Sequence, residues 1–314
     1  MKKIVISFLL ILVISAICFI PIAQQKTVII KSPFLRVYSQ LVKADGWENW
    51  RPDLRKVLLT DSDKIAIKKD SGSFSINCLD LKLNASIAGN SIYVNEQNND
   101  KTNIYNYIIL PGKGLNKTAV TVSKKVTFIN YLIRKIKPVS FSDTHIDDLK
   151  KFMETDSLYY GCNIFKTKVP EENLIVIRKV VFAKNKFTEA AKMLETLRQY
   201  IKTNNVKKMQ PLIAQFISKG KDSTQITVGF FINKEVSSDN SITFMRMPKN
   251  GPWYSAKFYG QFRRRQKIYI GIQQYFTNHL YQLAILPFET YLDDKLPISD
   301  TDEVKMQINF ATYF

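Results

Sequence analysis

The chain has 314 residues, with 46 Lys plus Arg against 27 Asp plus Glu, for a formal net charge of +19 with both histidines neutral. A hydrophobic fraction of 45% can build buried cores and the length favours two domains, so a disordered chain and a disulfide scaffold are excluded. The 11 glycines and 11 prolines exclude collagen-like and low-complexity classes, and two histidines with three cysteines leave little material for histidine catalysis or structural zinc.

Met1-Lys2-Lys3 precedes an uncharged apolar run from Ile4 to Ile20, broken only by Ser7 and Ser15. That run is at the short end for a spanning helix and the long end for a signal peptide. Signal cleavage needs small residues one and three positions before the cut, and Pro21-Ile22-Ala23 puts proline at the outer position. Residues 1–23 are therefore expected to form an uncleaved, single-pass N-terminal membrane anchor. The stretch Ser15-Ala16-Ile17-Cys18 has the outline of a lipobox, but Ile17 stands where a small residue is required. Lys2 and Lys3 flank one end and Lys26, Lys31 and Arg36 the other, so the positive-inside rule leaves the membrane side open. Cys78 and Cys162, one in each half, are open either as a pair or as free thiols.

A first domain is expected over residues 24–160. Lys26 to Lys31 reads as a strand, Ser32-Pro33 starts a helix carrying Phe34, Val37, Tyr38 and Leu41, and Asp45 to Pro52 is a turn-rich aromatic corner. Strand-like runs at Ile65 to Lys68, Ser86 to Val94, Asn103 to Leu110 and Val120 to Ile129, separated by polar turns, suit an antiparallel meander. A helix then opens at Ser142-Asp143-Thr144, with Asp147 and Asp148 in its first turn and an apolar stripe of Ile146, Leu149, Phe152 and Met153 expected to pack on the sheet. Val28-Ile29-Ile30, Ser32-Pro33, Val37-Tyr38, Leu41, Trp47, Trp50 and Pro52, with the strands and closing helix behind them, resemble the START-like (SRPBCC, polyketide-cyclase-type) helix-grip fold. The resemblance implies a hydrophobic cavity under the closing helix that holds lipids or other apolar ligands. Trp47 and Trp50 have two readings, core packing at the corner or ligand contact.

The second domain, residues 161–314, contains an internal repeat. Asn173 to Phe182 is a strand, Phe187, Ala190, Ala191, Leu194, Leu197 and Ile201 mark a helix face, and strands follow at Leu212 to Ile217 and Thr224 to Ile232. The same order recurs in Trp253 to Tyr259, the helix face of Ile268, Ile272, Tyr275, Phe276 and His279, and the strands Phe288 to Leu292 and Val304 to Phe310. Pro211 to Phe216 parallels Pro287 to Leu292, and Asp222 and Asp302 open the two final strands. A duplicated β-α-β-β unit forms one sheet with both helices on one face, leaving the other free to be a cleft.

Gly251, Phe258 and Gly260, the run from Pro287 to Asp294, and Asp302-Glu303-Val304 to Asn309-Phe310 resemble the GyrI-like small-molecule-binding domain, also found as the effector-binding domain of AraC-type and multidrug-responsive regulators. Alternation from the strand starts directs Phe288, Thr290 and Leu292, with Met306, Ile308 and Phe310, toward the helices, leaving Glu289, Tyr291, Gln307 and Asn309 on the open face. The resemblance implies that a glutamate at the position of Glu289 meets cationic or amphipathic ligands amid aromatics, with Tyr291, Trp253 and Tyr259 as ring contacts. The alternative is a structural ion pair with Lys257, expected on the same face. Matching the two proline-led strands makes Ile213 the counterpart of Glu289, so any charge recognition is one-sided.

Arg263-Arg264-Arg265, followed by Lys267, is the densest basic run and falls at a helix start, either as a solvated end or as a site for phosphates or anionic headgroups. His145 and His279 stand without a second ligand at metal spacing, and Gly112-Lys113-Gly114 lacks the rest of a phosphate loop. The expectation is an α+β protein, a helix-grip (START-like) domain followed by a duplicated β-α-β-β GyrI-like domain behind a membrane anchor. It would bind a hydrophobic or cationic amphiphile through Glu289, Tyr291, Trp253, Tyr259 and Asn309, with a second apolar ligand in the first domain. No cofactor, metal or nucleic-acid partner is expected, since no helix-turn-helix segment accompanies the domain. Two rival functions stay open: a GyrI-like hydrolase using Glu289 and a neighbouring tyrosine as acid and base, and a basic scaffold docking on anionic lipid or a protein.

Overall fold

The structure, a computed structural model, describes residues 20–99, 101–114, 116–129, 131, 145–168, 172–239, 241–247 and 251–313. The apolar run before Ile20, with Cys18, and the expected helix start at Ser142, Asp143 and Thr144 lie outside them. The chain is α+β and divides into two compact units, Met1–Thr155 and Asp156–Phe314. No helix among the described residues is long and apolar enough to cross a membrane. Cys78 and Cys162 are both buried, free thiols, and burial pushes the Cys162 thiol up to about 11.

The first unit is built on an antiparallel sheet of seven strands in the order β1-β7-β6-β5-β4-β3-β2. The strands are β1 Pro21–Ile30, β2 Ile65–Asp70, β3 Ser73–Cys78, β4 Leu81–Ala88, β5 Ser91–Asn98, β6 Lys101–Pro111 and β7 Thr118–Thr127. β1 begins earlier than its apolar pattern suggested: Pro21, Ile22 and Ala23, assigned from sequence to the anchor, pair with Thr127, Val126 and Lys125. Ser86 to Val94 is a hairpin rather than one strand, because Gly89, at φ 59°, and Asn90 make the two-residue turn that matches strand twist.

Three short helices follow β1: α1 Phe34–Val42, α2 Ala44–Trp50 and α3 Pro52–Thr60. Pro52 can open α3 because the first turn of a helix needs no backbone donor there. Trp47 and Trp50 are core residues. The Trp47 indole donates to the Leu41 carbonyl at 2.7 Å, and its ring meets Trp50, Phe74 and Tyr107 at centroid distances of 4.8, 6.1 and 5.6 Å. The sheet face that could line a cavity is packed with aromatics at this corner. Helix α4, Ile146–Glu154, buries Ile146, Leu149, Phe152 and Met153, the stripe its spacing predicts.

The second unit holds an eight-stranded antiparallel sheet in the order β12-β9-β11-β10-β14-β15-β13-β8. Its strands are β8 Phe165–Lys168, β9 Asn173–Phe182, β10 Ile213–Ser218, β11 Ser223–Phe231, β12 Thr243–Arg246, β13 Pro252–Gln261, β14 Phe288–Tyr291 and β15 Glu303–Ala311. A one-turn helix, α5 Asp156–Tyr159, precedes them, and the long helices are α6 Lys186–Thr203 and α7 Gln266–His279. β9-α6-β10-β11 and β13-α7-β14-β15 are the two repeats, and they meet where β10 pairs with β14. Matching turns fix their equivalence: the Ala183 amide donates to the Asp222 carbonyl at 2.8 Å and the Phe262 amide to the Asp302 carbonyl at 2.9 Å. Strands β8 and β12 extend the sheet at its two edges and are too short to have shown an alternating pattern. Both helices pack on one face, where Met193, Leu197, Ile272 and Phe276 meet Ile226, Val228, Met306 and Ile308.

Candidate functional site

The register of β14 decides which side chains share a face. Directly paired residues of an antiparallel ladder point the same way, and here Glu289 lies opposite Ile308, Tyr291 opposite Met306, and Phe288 opposite Asn309. Ile308 and Met306 face the helices, as their alternation predicts, so Glu289 and Tyr291 face them too. The expected open-face placement of Glu289 and Tyr291 is corrected by one residue, and a shift of one flips every side chain of a strand. The same shift makes Ala214, not Ile213, the counterpart of Glu289, since Ala214 pairs with Val228 as Glu289 pairs with Ile308. Trp253, Tyr259 and Asn309 do lie on the open face, in register with Ala311, Lys305 and Ser255. The five residues expected to form one site are divided between two faces of the sheet.

On the helix side, Glu289 is fully buried, and its carboxylate accepts three side-chain hydrogen bonds. Oε1 accepts from Arg265 Nε at 2.5 Å and from the Tyr269 hydroxyl at 3.1 Å, while Oε2 accepts from the Tyr291 hydroxyl at 2.6 Å. The guanidinium of Arg265 also donates to the Phe262 carbonyl at 3.1 Å and lies over the Phe262 ring, 3.5 Å from its centroid. Burial, and then the Glu289 charge, push the Tyr269 and Tyr291 hydroxyls well above their ordinary range, which keeps them neutral donors. The expected pairing with Lys257 is also corrected, because Lys257 shares the opposite face with Gln307. In the first repeat the counterparts of Tyr269, Glu289 and Tyr291 are Ala190, Ala214 and Phe216, so the polar cluster belongs to one repeat alone.

The open face carries the concavity. Across β9, β11 and β10 run two rows of partners: Val176, Gly229 and Ile213, then Arg178, Thr227 and Gln215. Gly229 lets Val176 and Ile213 close over the backbone between them, since a Cβ there would lie 2.6 Å from the Ile175 carbonyl oxygen and 2.8 Å from Val176 Cγ1. Phe231 and Met247 close one end, and Ile285, Leu286 and Phe288 close the other side. The result is an apolar pocket of about 250 Å³ that crosses the junction between the repeats, with Arg178 its one charged lining residue among the described residues. A second depression of about 250 Å³ adjoins it across Phe231, where Trp253, Thr290, Leu292 and Gln307 line it. Trp253 is part of the floor, with its ring 5.1 Å from Phe288 and 6.0 Å from Phe231, whereas Tyr259 is 60% exposed.

The second repeat carries a side chain at the equivalent position. Asn309 stands where the first repeat has Gly229, and its side chain accepts from Ser255 and Gln307, each at 2.8 Å, and donates to Thr290 at 2.9 Å. Val176, Thr227 and Gln215 are the counterparts of Ser255, Gln307 and Thr290. With glycine between them, the Thr227 hydroxyl is buried and makes no hydrogen bond among the described residues. The sequence reading missed this pocket, Gly229, Arg178 and Thr227 included. The signal was present, since Gly229 and Asn309 stand at the same distance beyond Asp222 and Asp302.

No family profile matches the chain and no curated protein does. Among solved structures, the C-terminal domain of EcmrR is similar at 18% identity, covering 48% of this chain and 96% of that domain with a TM-score of 0.39. A START superfamily protein from Mycobacterium smegmatis is similar at 14% identity over 42% of this chain and 97% of that one, TM-score 0.29. A hydrolase from Listeria innocua is similar at 11% identity over 47% and 90%, TM-score 0.34. Likenesses at this level carry no argument about activity, which rests on the site itself.

Proposed function

We propose that the second unit is a small-molecule-binding module that takes an apolar ligand into the open-face pocket between its repeats. The observation that carries this reading is the apolar pocket lined by Val176, Ile213, Phe231 and Phe288 beside the buried, unpartnered Thr227 hydroxyl, on the face that the second repeat ties together through Asn309. The pocket is slightly smaller than the ~300 Å³ at which ligand pockets usually begin, and it is open on one side, so a ligand can extend beyond it. Glu289 is on the other face and neutralised by Arg265, which removes it as an anchor for a cationic ligand at this pocket. Its oxygens are likewise committed to donors, which leaves it no lone acid–base role.

N-phenyl-1-naphthylamine, a neutral apolar fluorophore, is the test probe for the full chain. Saturable fluorescence enhancement is expected, and Leu286→Asp, at a 58% exposed position on the pocket wall, should weaken it by about tenfold by placing a carboxylate beside the dye. Enhancement equal in wild type and variant would place the dye elsewhere and remove the pocket as the site. We also propose that residues 4–20 hold the chain at a membrane, on the strength of their uncharged apolar sequence. The chain should then stay with the membrane pellet after an alkaline carbonate wash, and release into the supernatant would contradict the anchor.

A further inference from the structure

We propose that the ligand of the open-face pocket carries a carboxylate, held by Arg178 and Thr227, with its apolar chain directed toward Phe231 and Met247. This rests on the pocket reading and names the head group that the pocket selects. Arg178 and Thr227 are direct partners across β9 and β11, so their side chains rise together from the open face, about 4.5–5.5 Å apart at Cβ. Arg178 lines the pocket, and among the described residues it makes no ion pair and no acidic side chain lines the pocket with it. Thr227 is 8% exposed, and its hydroxyl is a buried donor without an acceptor.

Two kinds of donor on one edge of an apolar pocket fit the two oxygens of a planar carboxylate. One oxygen accepts charge-assisted bonds from the guanidinium and the other accepts from the hydroxyl. The third member of the row, Gln215, has its side-chain amide turned to the Pro287 carbonyl at 2.7 Å, and among the described residues a single cation faces the pocket, which matches the one charge of a carboxylate better than a phosphate dianion. A cationic head group would meet Arg178 with no carboxylate to offset it. The second repeat supplies the internal precedent: Gln307, the counterpart of Thr227, donates at 2.8 Å to the side-chain oxygen of Asn309. In the first repeat the oxygen comes from the ligand.

The experiment displaces N-phenyl-1-naphthylamine from the full chain with octanoate, octanamide and octyltrimethylammonium at pH 7.5. Octanoate is expected to displace the dye at about tenfold lower concentration than octanamide, with the ammonium weakest, as a charge-assisted bond in a partly exposed site implies. In Arg178→Gln, octanoate should fall to the level of octanamide while octanamide is unchanged. Octanamide matching octanoate in wild type, or the octanoate preference surviving in Arg178→Gln, overturns the carboxylate assignment and leaves the apolar pocket standing. Failure of the dye itself to respond to Leu286→Asp overturns the pocket reading, and the head-group assignment falls with it.

Discussion

Replacing Glu289 with alanine is expected to destabilise the second unit by about 3–5 kcal/mol, the range for removing one partner of a buried ion pair. The side chain of Glu289 is 1% exposed and that of Arg265 14% exposed, so the guanidinium left behind is held at the end of α7 with only the Phe262 carbonyl and ring as partners. Two buried tyrosine hydroxyls lose their acceptor in the same step. Urea unfolding followed through Trp253 reports this unit, because Trp47 and Trp50, the other tryptophans, belong to the first. Adding Arg265→Met to Glu289→Ala should recover part of the loss, since the equivalent positions in the first repeat pack as Ala190, Ala214 and Phe216 without a buried carboxylate. The double variant separates the cost of a stranded charge from the cost of lost packing. A Glu289→Ala protein within about 1 kcal/mol of wild type would contradict the buried pairing described for Arg265.

The elements whose length exceeds their period were legible in the sequence. The stripe of α4, the faces of α6 and α7, and the repeat marked by Asp222 and Asp302 each offer enough turns or alternations to fix a phase. β14 offers four residues, Phe288–Tyr291, so alternation from Phe288 has little to fix its phase, and the Pro211–Pro287 match fixes only the Ile213 counterpart. Both fail here, because Pro287 is level with Leu212 in the folded repeats and the Glu289 carboxylate is paired inside, which lets Phe288 face outward. β15 pointed correctly because nine residues with hydrophobics at every second place leave one solution. The pocket had no sequence pattern of its own, since it is lined by residues of five strands and by Ile285 and Leu286 in the connection before β14. Comparison of the two repeats position by position is what exposes it.

A comparable cost, about 3–5 kcal/mol, is expected in the first unit for Arg51→Met. Arg51 is 2% exposed and sits between α2 and α3, where its amide donates to the Trp47 carbonyl at 3.0 Å and its carbonyl accepts from Arg55 at 2.8 Å. Its guanidinium binds Asp53 through Nε at 3.1 Å and Nη2 at 2.6 Å, and Glu96 of β5 through Nη1 at 2.6 Å, so one side chain joins the helical corner to the sheet. Burial alone would lower the Arg51 pKa and raise that of Asp53. The hydrogen bonds and opposite charges outweigh it, holding the guanidinium above its ordinary range and the Asp53 carboxyl below its own. A carboxyl whose folded pKa lies below its unfolded value of about 3.9 contributes stability that is complete above that pH and is lost as pH falls through the folded value. Methionine at position 51 reverses the sign, because Asp53 and Glu96 then face each other without a cation and protonation relieves them. The stability gap between wild type and Arg51→Met should therefore be widest near pH 7 and narrow toward pH 3, read from thermal unfolding through Trp47 and Trp50. A gap that stays constant across that range would mean that Arg51 acts through its methylene packing alone, and that the two carboxylates are solvated well enough to do without it.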